Sequence, residues 1–317
     1  NSYLDLLHRE ISIAPKGPPL STIYLGGGTP SLLNKNEVCD LLKHLQKKFG
    51  FQNGAELTME VDPATFSEND LKDYLQIGIN RLSLGAQSFD DKTLASIGRK
   101  HNRDELIEAC SWVNKLFKKG FLLSWSLDLI ENLPGLTLEQ WSLELEQAVQ
   151  TEAPHLSIYD LTIESETVFG RKHKKGELNI PSESVATSIN LKTTNYLKSK
   201  GFSRYEISSY CLPCHASRHN RMYWSGSGWW GFGMGSTSAP WGERFARPRT
   251  IMGYKKWLED QENIELESSL IANSSTKMPL DELLMIGLRR REGVHIEELA
   301  RYSGWNEEKC NQKFSIY

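Results

Sequence analysis

Hydrophobic and polar positions follow two rhythms along the first half of the chain. Short apolar-rich runs lie at 21–26, 56–62, 81–87, 122–130 and 155–163, and each is separated from the next by segments whose apolar residues return every three or four positions. The first rhythm predicts strands and the second predicts amphipathic helices. One helix is expected from about residue 34 to Gly50, and another from the N-cap Ser67 to just before Gly78. A third covers 103–119, with Leu106, Cys110, Val113 and Phe117 in one stripe and Gly120 as its stop. A fourth opens at Thr-Leu-Glu-Gln, residues 137–140, a capping box after Pro134-Gly135. The first residues already read as helix, with Leu4, Leu7 and Ile11 on one face.

Strands alternating with helices of this length imply βαβ units, a parallel sheet, and either a doubly wound or a barrel arrangement. The ends of the predicted strands are polar or glycine: residues 26–29, Glu60 and Asp62, Gln87, Asp128, and residues 160–162. In parallel α/β folds that end is where ligands bind. The run Gly26-Gly27-Gly28-Thr29-Pro30 exposes main chain at the end of a strand, which suits either a turn or a ligand lying against the backbone. After about residue 165 the rhythm changes. Residues 182–200 read as one long helix, 205–241 are aromatic and glycine-rich, and 281–305 read as two helices around a Gly-Val turn.

Composition narrows the picture. Of 317 residues, 39% are hydrophobic and 24% charged, with a formal net charge of −3, so no basic excess points to nucleic acid. No apolar run reaches the roughly 20 residues of a membrane span. Five cysteines, mostly far apart, do not form a disulfide framework and fit a reducing compartment. Cys39 and Cys110 fall on apolar helix faces, and Cys310 has no partner nearby in sequence.

Taken in order, Gly-Gly-Gly-Thr-Pro, Met-Glu-Val-Asp-Pro (59–63), 78–89, Ile-Gly-Arg-Lys-His (97–101) and 127–135 resemble the radical S-adenosylmethionine superfamily. Within it they resemble the branch of oxygen-independent coproporphyrinogen III oxidases and HemW-type haem chaperones. The resemblance implies a partial (β/α)6 barrel over 1–170, an extension over 171–265, and an incomplete winged-helix-like helical module over 276–317. It implies S-adenosylmethionine contact by Gly27, Gly28, Thr29, Glu60, Gln87, Arg99 and Asp128. The chemistry suits those roles: bare N–H and C=O groups at Gly27 and Gly28, a hydroxyl at Thr29, and carboxylate acceptors at Glu60 and Asp128 for ribose or ammonium. Gln87 both donates and accepts, and Arg99 can hold a carboxylate bidentately. The superfamily also implies a [4Fe–4S] cluster held by Cys-x3-Cys-x2-Cys. That motif is absent here, so its ligands are expected upstream of Asn1, and the barrel is expected to lack its first strand, leaving an uncovered edge.

His-Asn-x-x-Tyr-Trp, residues 219–224, resembles the motif that marks the haem chaperones. His219 is the implied haem contact, and Tyr223, Trp224, Trp229, Trp230 and Phe232 offer flat apolar surface for a macrocycle. A loop held by hydrogen bonds over a plain aromatic core is the competing account. Cys211-Leu-Pro-Cys-His215 matches the covalent haem attachment signature or half a zinc site; chance placement is the reading preferred here. The function the resemblance implies is a haem chaperone passing haem to apo-proteins such as respiratory cytochromes; the alternatives are an oxygen-independent coproporphyrinogen III oxidase, which the histidine motif argues against, and a non-catalytic haem- or S-adenosylmethionine-binding relic. The resemblance is compatible with a homodimer, and with the cytoplasm of a bacterium or a mitochondrion or plastid of a eukaryote.

Overall fold

The computed structural model describes residues 2–165, 167–242, 244–263 and 278–314. Residues 264–265 of the expected extension, and 276–277 and 315–317 of the expected C-terminal module, lie outside the described residues, as does the Cys310 side chain. Apart from a short antiparallel pair, Thr237–Ser238 with Phe245–Ala246, the strands are β1 (Leu20–Leu25), β2 (Phe51–Val61), β3 (Arg81–Gln87), β4 (Ser124–Glu131), β5 (His155–Asp160), β6 (Ser203–Arg204) and β7 (Ser209–Cys211). They form one sheet in the order β1-β2-β3-β4-β5-β7-β6. The pairs β2·β3, β3·β4 and β4·β5 are parallel. The short β7 runs antiparallel to both β5 and β6. The expected α/β class with a parallel sheet is thus what forms, and β1 stands at one end of the order.

The helices are α1 (Ser2–Ile13), α2 (Lys35–Phe49), α3 (Glu68–Gln76), α4 (Asp91–Ser96), α5 (Arg103–Lys118), α6 (Leu138–Gln150), α7 (Val168–Lys174), α8 (Glu183–Ser199), α9 (Arg218–Trp224) and α10 (Ile251–Glu262). Three further helices, Leu280–Gly287, Ile296–Ser303 and Glu307–Phe314, follow. The expected caps are present. The Ser67 and Thr137 hydroxyls accept from the Asp70 and Gln140 backbone N–H groups, and their own backbone N–H groups donate back to the Asp70 and Gln140 side chains, each closing a capping box. Strand 155–163 stops three residues short, at Asp160.

The chain forms two compact units, one of residues 23–35 and 56–216, the other of residues up to 22, 36–55 and from 217 onward. In the first, β2, β3, β4 and β5 present two faces with a period of two. One face is apolar and buried: Leu57, Met59, Val61, Leu82, Leu84, Ala86, Trp125, Leu127, Leu129, Leu156 and Ile158. The other is polar yet equally buried over much of its length, with Glu56, Thr58, Arg81, Ser83, Ser124, Ser126, His155 and Ser157. Register places Ser83 opposite Ser126, and Asp128 between Gly85 and Ser157. Near the strand starts, Arg81 faces Glu56 at 3.8 Å and donates to the His215 carbonyl at 3.1 Å, while His155 Nε2 meets the Tyr205 hydroxyl at 2.8 Å. Behind the apolar face, buried Trp141 of α6 donates to Thr193 of α8 at 2.7 Å, and Thr193 donates to Glu131 at 3.1 Å.

In the second unit α1 departs from the expected single stripe. Leu4 and Ile11 are buried, but so are Leu6 and Glu10, while Leu7 is only part-buried. Leu6 packs with Tyr254 and Leu258 of α10. Glu10, 2% exposed, accepts from Arg247 at 2.7 Å, from the Tyr254 hydroxyl at 2.5 Å and from the Gly233 N–H at 2.7 Å. Burial and the Glu10 charge together push the Tyr254 phenol far up, so it stays a donor. A buried charge tolerates removal of its partner poorly, because the remaining ion is left uncompensated. Glu10→Ala should cost about 3–5 kcal/mol in urea unfolding. The double variant Glu10→Leu/Arg247→Met should recover most of that loss, and if it does not, the network has a role beyond charge pairing.

Candidate cofactor and haem sites

Toward the carboxyl ends of β1 to β4, within the first unit, Glu60 and Gly27 bond to each other, while Arg99 and Asp128 take partners outside the predicted set. Gly26 follows β1, and a Cβ there would lie 2.6 Å from the Tyr24 ring and 2.9 Å from Glu60 Oε1, so only glycine fits. Gly27 and Gly28 face open space, but their φ values of 77° and 76° favour glycine. Glu60 accepts from the Tyr24 hydroxyl at 2.9 Å and from the Gly27 N–H at 3.1 Å. The expectation of a bare Gly27 N–H is corrected on this point: Glu60 already holds it. Thr29 precedes a 3-10 turn, Pro30–Leu32, whose Leu32 N–H bonds the Thr29 carbonyl at 3.1 Å; the Thr29 hydroxyl makes no cap bond.

Arg99 binds Asp62 directly, and His101 stands 3.6 Å from the same carboxylate while its Nε2 meets the Ala86 carbonyl at 3.2 Å. Burial alone would raise the Asp62 carboxyl, but His101 and Arg99 outweigh it and hold it below the usual range. Arg99 therefore has a carboxylate partner inside the protein, where the sequence suggested one from a ligand. Asp128 accepts from Ser83 at 2.7 Å and from Ser126 at 3.1 Å. Burial pushes its carboxyl up to about 6 against the pull of those hydroxyls and of Ser157. Gln87 has φ 61°, a left-handed conformation unusual for a side chain, and lies over Gly85. Its Oε1 is buried without a hydrogen-bond partner. Beyond β4, Asn132 donates to Asp160 at 2.7 Å.

Tyr24, His101 and the serine row were not singled out in the sequence. His101 was present in the Ile-Gly-Arg-Lys-His run, and Ser124 and Ser126 stand at period two in β4, which was the available signal. The arrangement suits a small polar ligand with hydroxyl and ammonium groups: carboxylates in two environments, an orphaned amide oxygen and a glycine turn at one rim. S-adenosylmethionine presents those groups. A cluster is a different matter. Among the described residues no set of three His, Cys, Asp or Glu side chains is placed to hold a metal ion, so they do not fit an iron–sulfur cluster.

In the second unit, Ser217 caps α9 by accepting from the Asn220 N–H, and His219 Nδ1 lies 3.0 Å from the Thr22 hydroxyl. The aromatics expected to give one flat surface divide into two groups. Trp224 and Trp229 pack against Met278, Leu283, Ile286 and Leu299, with Arg289 4.3 Å above the Trp224 ring and Arg244 5.3 Å above Trp229. Trp230 stacks on Phe232 at 6.0 Å and meets Trp241 edge-on at 5.4 Å. Cys211 is buried in β7, Cys214 is exposed, and His215 meets Ser124 at the start of β4, 3.1 Å away.

The radical SAM superfamily model matches residues 4–146. The heme chaperone HemW of Synechocystis is 38% identical over 296 residues, covering 92% of this chain and 70% of that protein. The heme chaperone HemW of Escherichia coli is 32% identical, covering 96% of this chain and 78% of that protein. Coproporphyrinogen III oxidase (HemN) of Escherichia coli, a radical SAM enzyme, superposes with TM-score 0.70 at 23% identity, covering 82% of this chain and 62% of that one, a likeness of fold. The fold is thus that of the radical SAM class. Within that superfamily, this chain belongs to the HemW family. No helix among the described residues is long and apolar enough to cross a membrane.

The raised Asp128 carboxyl predicts a pH dependence for any ligand that bonds to it. Above pH 6 it is a carboxylate and offers a charge-assisted acceptor; below, it is protonated and a weaker one. Affinity for S-adenosylhomocysteine, followed by calorimetry, should fall about fivefold as pH drops through 6, the roughly 1 kcal/mol between charged and neutral acceptors. Asp128→Asn should bind weakly at every pH and lose the slope; a slope retained in that variant would assign it to another group.

Proposed function

We propose that this chain is the S-adenosylmethionine-binding and haem-binding body of a haem chaperone, passing haem to apo-haem proteins such as respiratory cytochromes. One observation carries the haem half of the reading: in a chain of the HemW family, His219 is held at Nδ1 by Thr22 at 3.0 Å. A hydrogen bond on one ring nitrogen is how an iron-ligating imidazole is oriented and kept in one tautomer. Haem is cargo in this reading, with His219 as its iron ligand and the α9 aromatics beside it.

Gly27, Gly28, Thr29, Glu60, Gln87, Arg99 and Asp128 are proposed to hold S-adenosylmethionine. Asp128 and Glu60 would accept from ribose or ammonium groups, and the Gln87 amide would bridge donor and acceptor. Arg99, locked to Asp62, would act by keeping the rim in shape and lowering its net negative charge. S-adenosylmethionine bound there supplies a sulfonium group, whose positive charge the rim carboxylates complement.

Haem titration followed by absorbance tests the reading. His219→Ala should weaken haem binding at least tenfold, while S-adenosylhomocysteine affinity stays at the parent value. Equal haem affinity in the variant would overturn the assignment of His219. Anaerobic turnover of coproporphyrinogen by the parent would replace the chaperone with the oxidase.

A further inference from the structure

The turn that follows β3 is held from outside the rim by a residue with no place in the ligand set. Gln87 is pinned at φ 61° by a three-residue turn, closed by a 2.8 Å bond from the Ser88 N–H to the Ala86 carbonyl. Such turns with positive φ are rare and strained, and for a side chain other than glycine they persist only when neighbours hold them. The neighbour here is Glu144 of α6, a carboxylate 5% exposed. Its Oε1 accepts from the Ser88 hydroxyl at 2.7 Å and its Oε2 from the Phe89 N–H at 2.7 Å. Ser88 and Phe89 are themselves buried, and the Ser88 Oγ also receives the Asp90 N–H at 3.0 Å. On the other side of the turn, the Gln87 amide lies over Gly85 beside Arg99, where any Cβ would come within 2.9 Å of Gln87 Nε2 and 3.4 Å of Arg99. Its Oε1 is left buried and unpartnered, an acceptor with nothing to accept from inside the protein.

A buried carboxylate is costly, and an apolar residue at position 144 would pack behind the sheet without that cost. What the carboxylate does, and an apolar residue could not, is clamp two donors of the turn at once. We infer that Glu144 is a positioning residue for the nucleoside site: it clamps the Ser88–Phe89 backbone so that Gln87 is held in its left-handed conformation with the amide aimed at the ligand. This rests on the reading of Gln87 as an S-adenosylmethionine contact.

A double-mutant cycle tests it, using S-adenosylhomocysteine as the probe, calorimetry on this chain, and thermal unfolding of each variant in parallel. Gln87→Ala should weaken binding about tenfold. Glu144→Ala should weaken it by a similar factor, and the double variant should bind no worse than either single one. Glu144→Gln should bind like the parent, because its amide oxygen can accept from Phe89 while its NH2 group donates to Ser88. Parent affinity in Glu144→Ala, or losses that multiply in the double variant, would overturn the inference, since a purely structural residue lowers the melting temperature without coupling to Gln87. Should Glu144→Ala fail to fold, Ser88→Ala cuts one arm of the clamp. It should then lose affinity in the parent background and lose none in the Gln87→Ala background, and an unchanged affinity would again overturn the proposal. A parent that does not bind the probe would instead overturn the cofactor reading beneath it.

Discussion

A sheet buried on both faces, one of them polar, has to satisfy its polar face from within. That constraint governs the unit of residues 23–35 and 56–216. Apolar rows on β2, β3, β4 and β5 pack in the ordinary way, but the opposite rows carry Glu56, Arg81, Ser83, Ser126 and His155 out of water. An unpaired buried polar group is costly; Thr58 Oγ1 has no partner among the described residues, but most of this row is met by neighbouring strands or by His215 and Tyr205. Register achieves this. Ser83 lies opposite Ser126, their hydroxyls 2.7 Å apart, and both reach Asp128. Parallel pairing places like levels side by side, so a polar row closes on itself only if every strand contributes at matching positions.

The same constraint shapes the rim. Where strands end, main-chain partners run out and side chains take over: Glu60 caps the Gly27 N–H, Asp62 gathers Arg99 and His101, and Glu144 holds Ser88 and Phe89. A ligand that uses the Gly27 N–H must therefore displace Glu60, which makes binding an exchange of partners. The two carboxylates differ in environment, with Asp62 held low by His101 and Arg99 and Asp128 raised to about 6 by burial. One accepts protons reluctantly and the other more readily, although both are aspartates.

The other unit solves a related problem with fewer groups. Glu10 sits among Arg247, Tyr254 and the Gly233 N–H, so one carboxylate ties α1 to the aromatic segment and to α10. The aromatic residues near α9 are committed in part to packing: Trp224 and Trp229 join the cluster of Leu283 and Ile286 and carry guanidinium groups over their rings. Any macrocycle near His219 would share that surface with existing contacts.

The alternation of strand and helix, the capping boxes at Ser67 and Thr137, and the glycine turn after β1 were legible because each is a local property, set by periodicity, cap chemistry or φ preference within a few residues. So was the placement of Glu60 and Gln87 at strand ends, since the pattern marks where those strands stop; Asp128 instead lies within β4, which runs on to Glu131. Pairings between strands were not legible. That Arg99 is held by Asp62, that the Gly27 N–H is taken by Glu60, and that Glu10 is buried depend on which distant elements meet. Residue types and their order determined the elements and the chemistry available at their ends. Which of those groups satisfy one another, and which, like the Gln87 side-chain oxygen, are left unpartnered, was decided by the tertiary structure, because hydrogen bonding in a buried site depends on distances between side chains far apart in the chain.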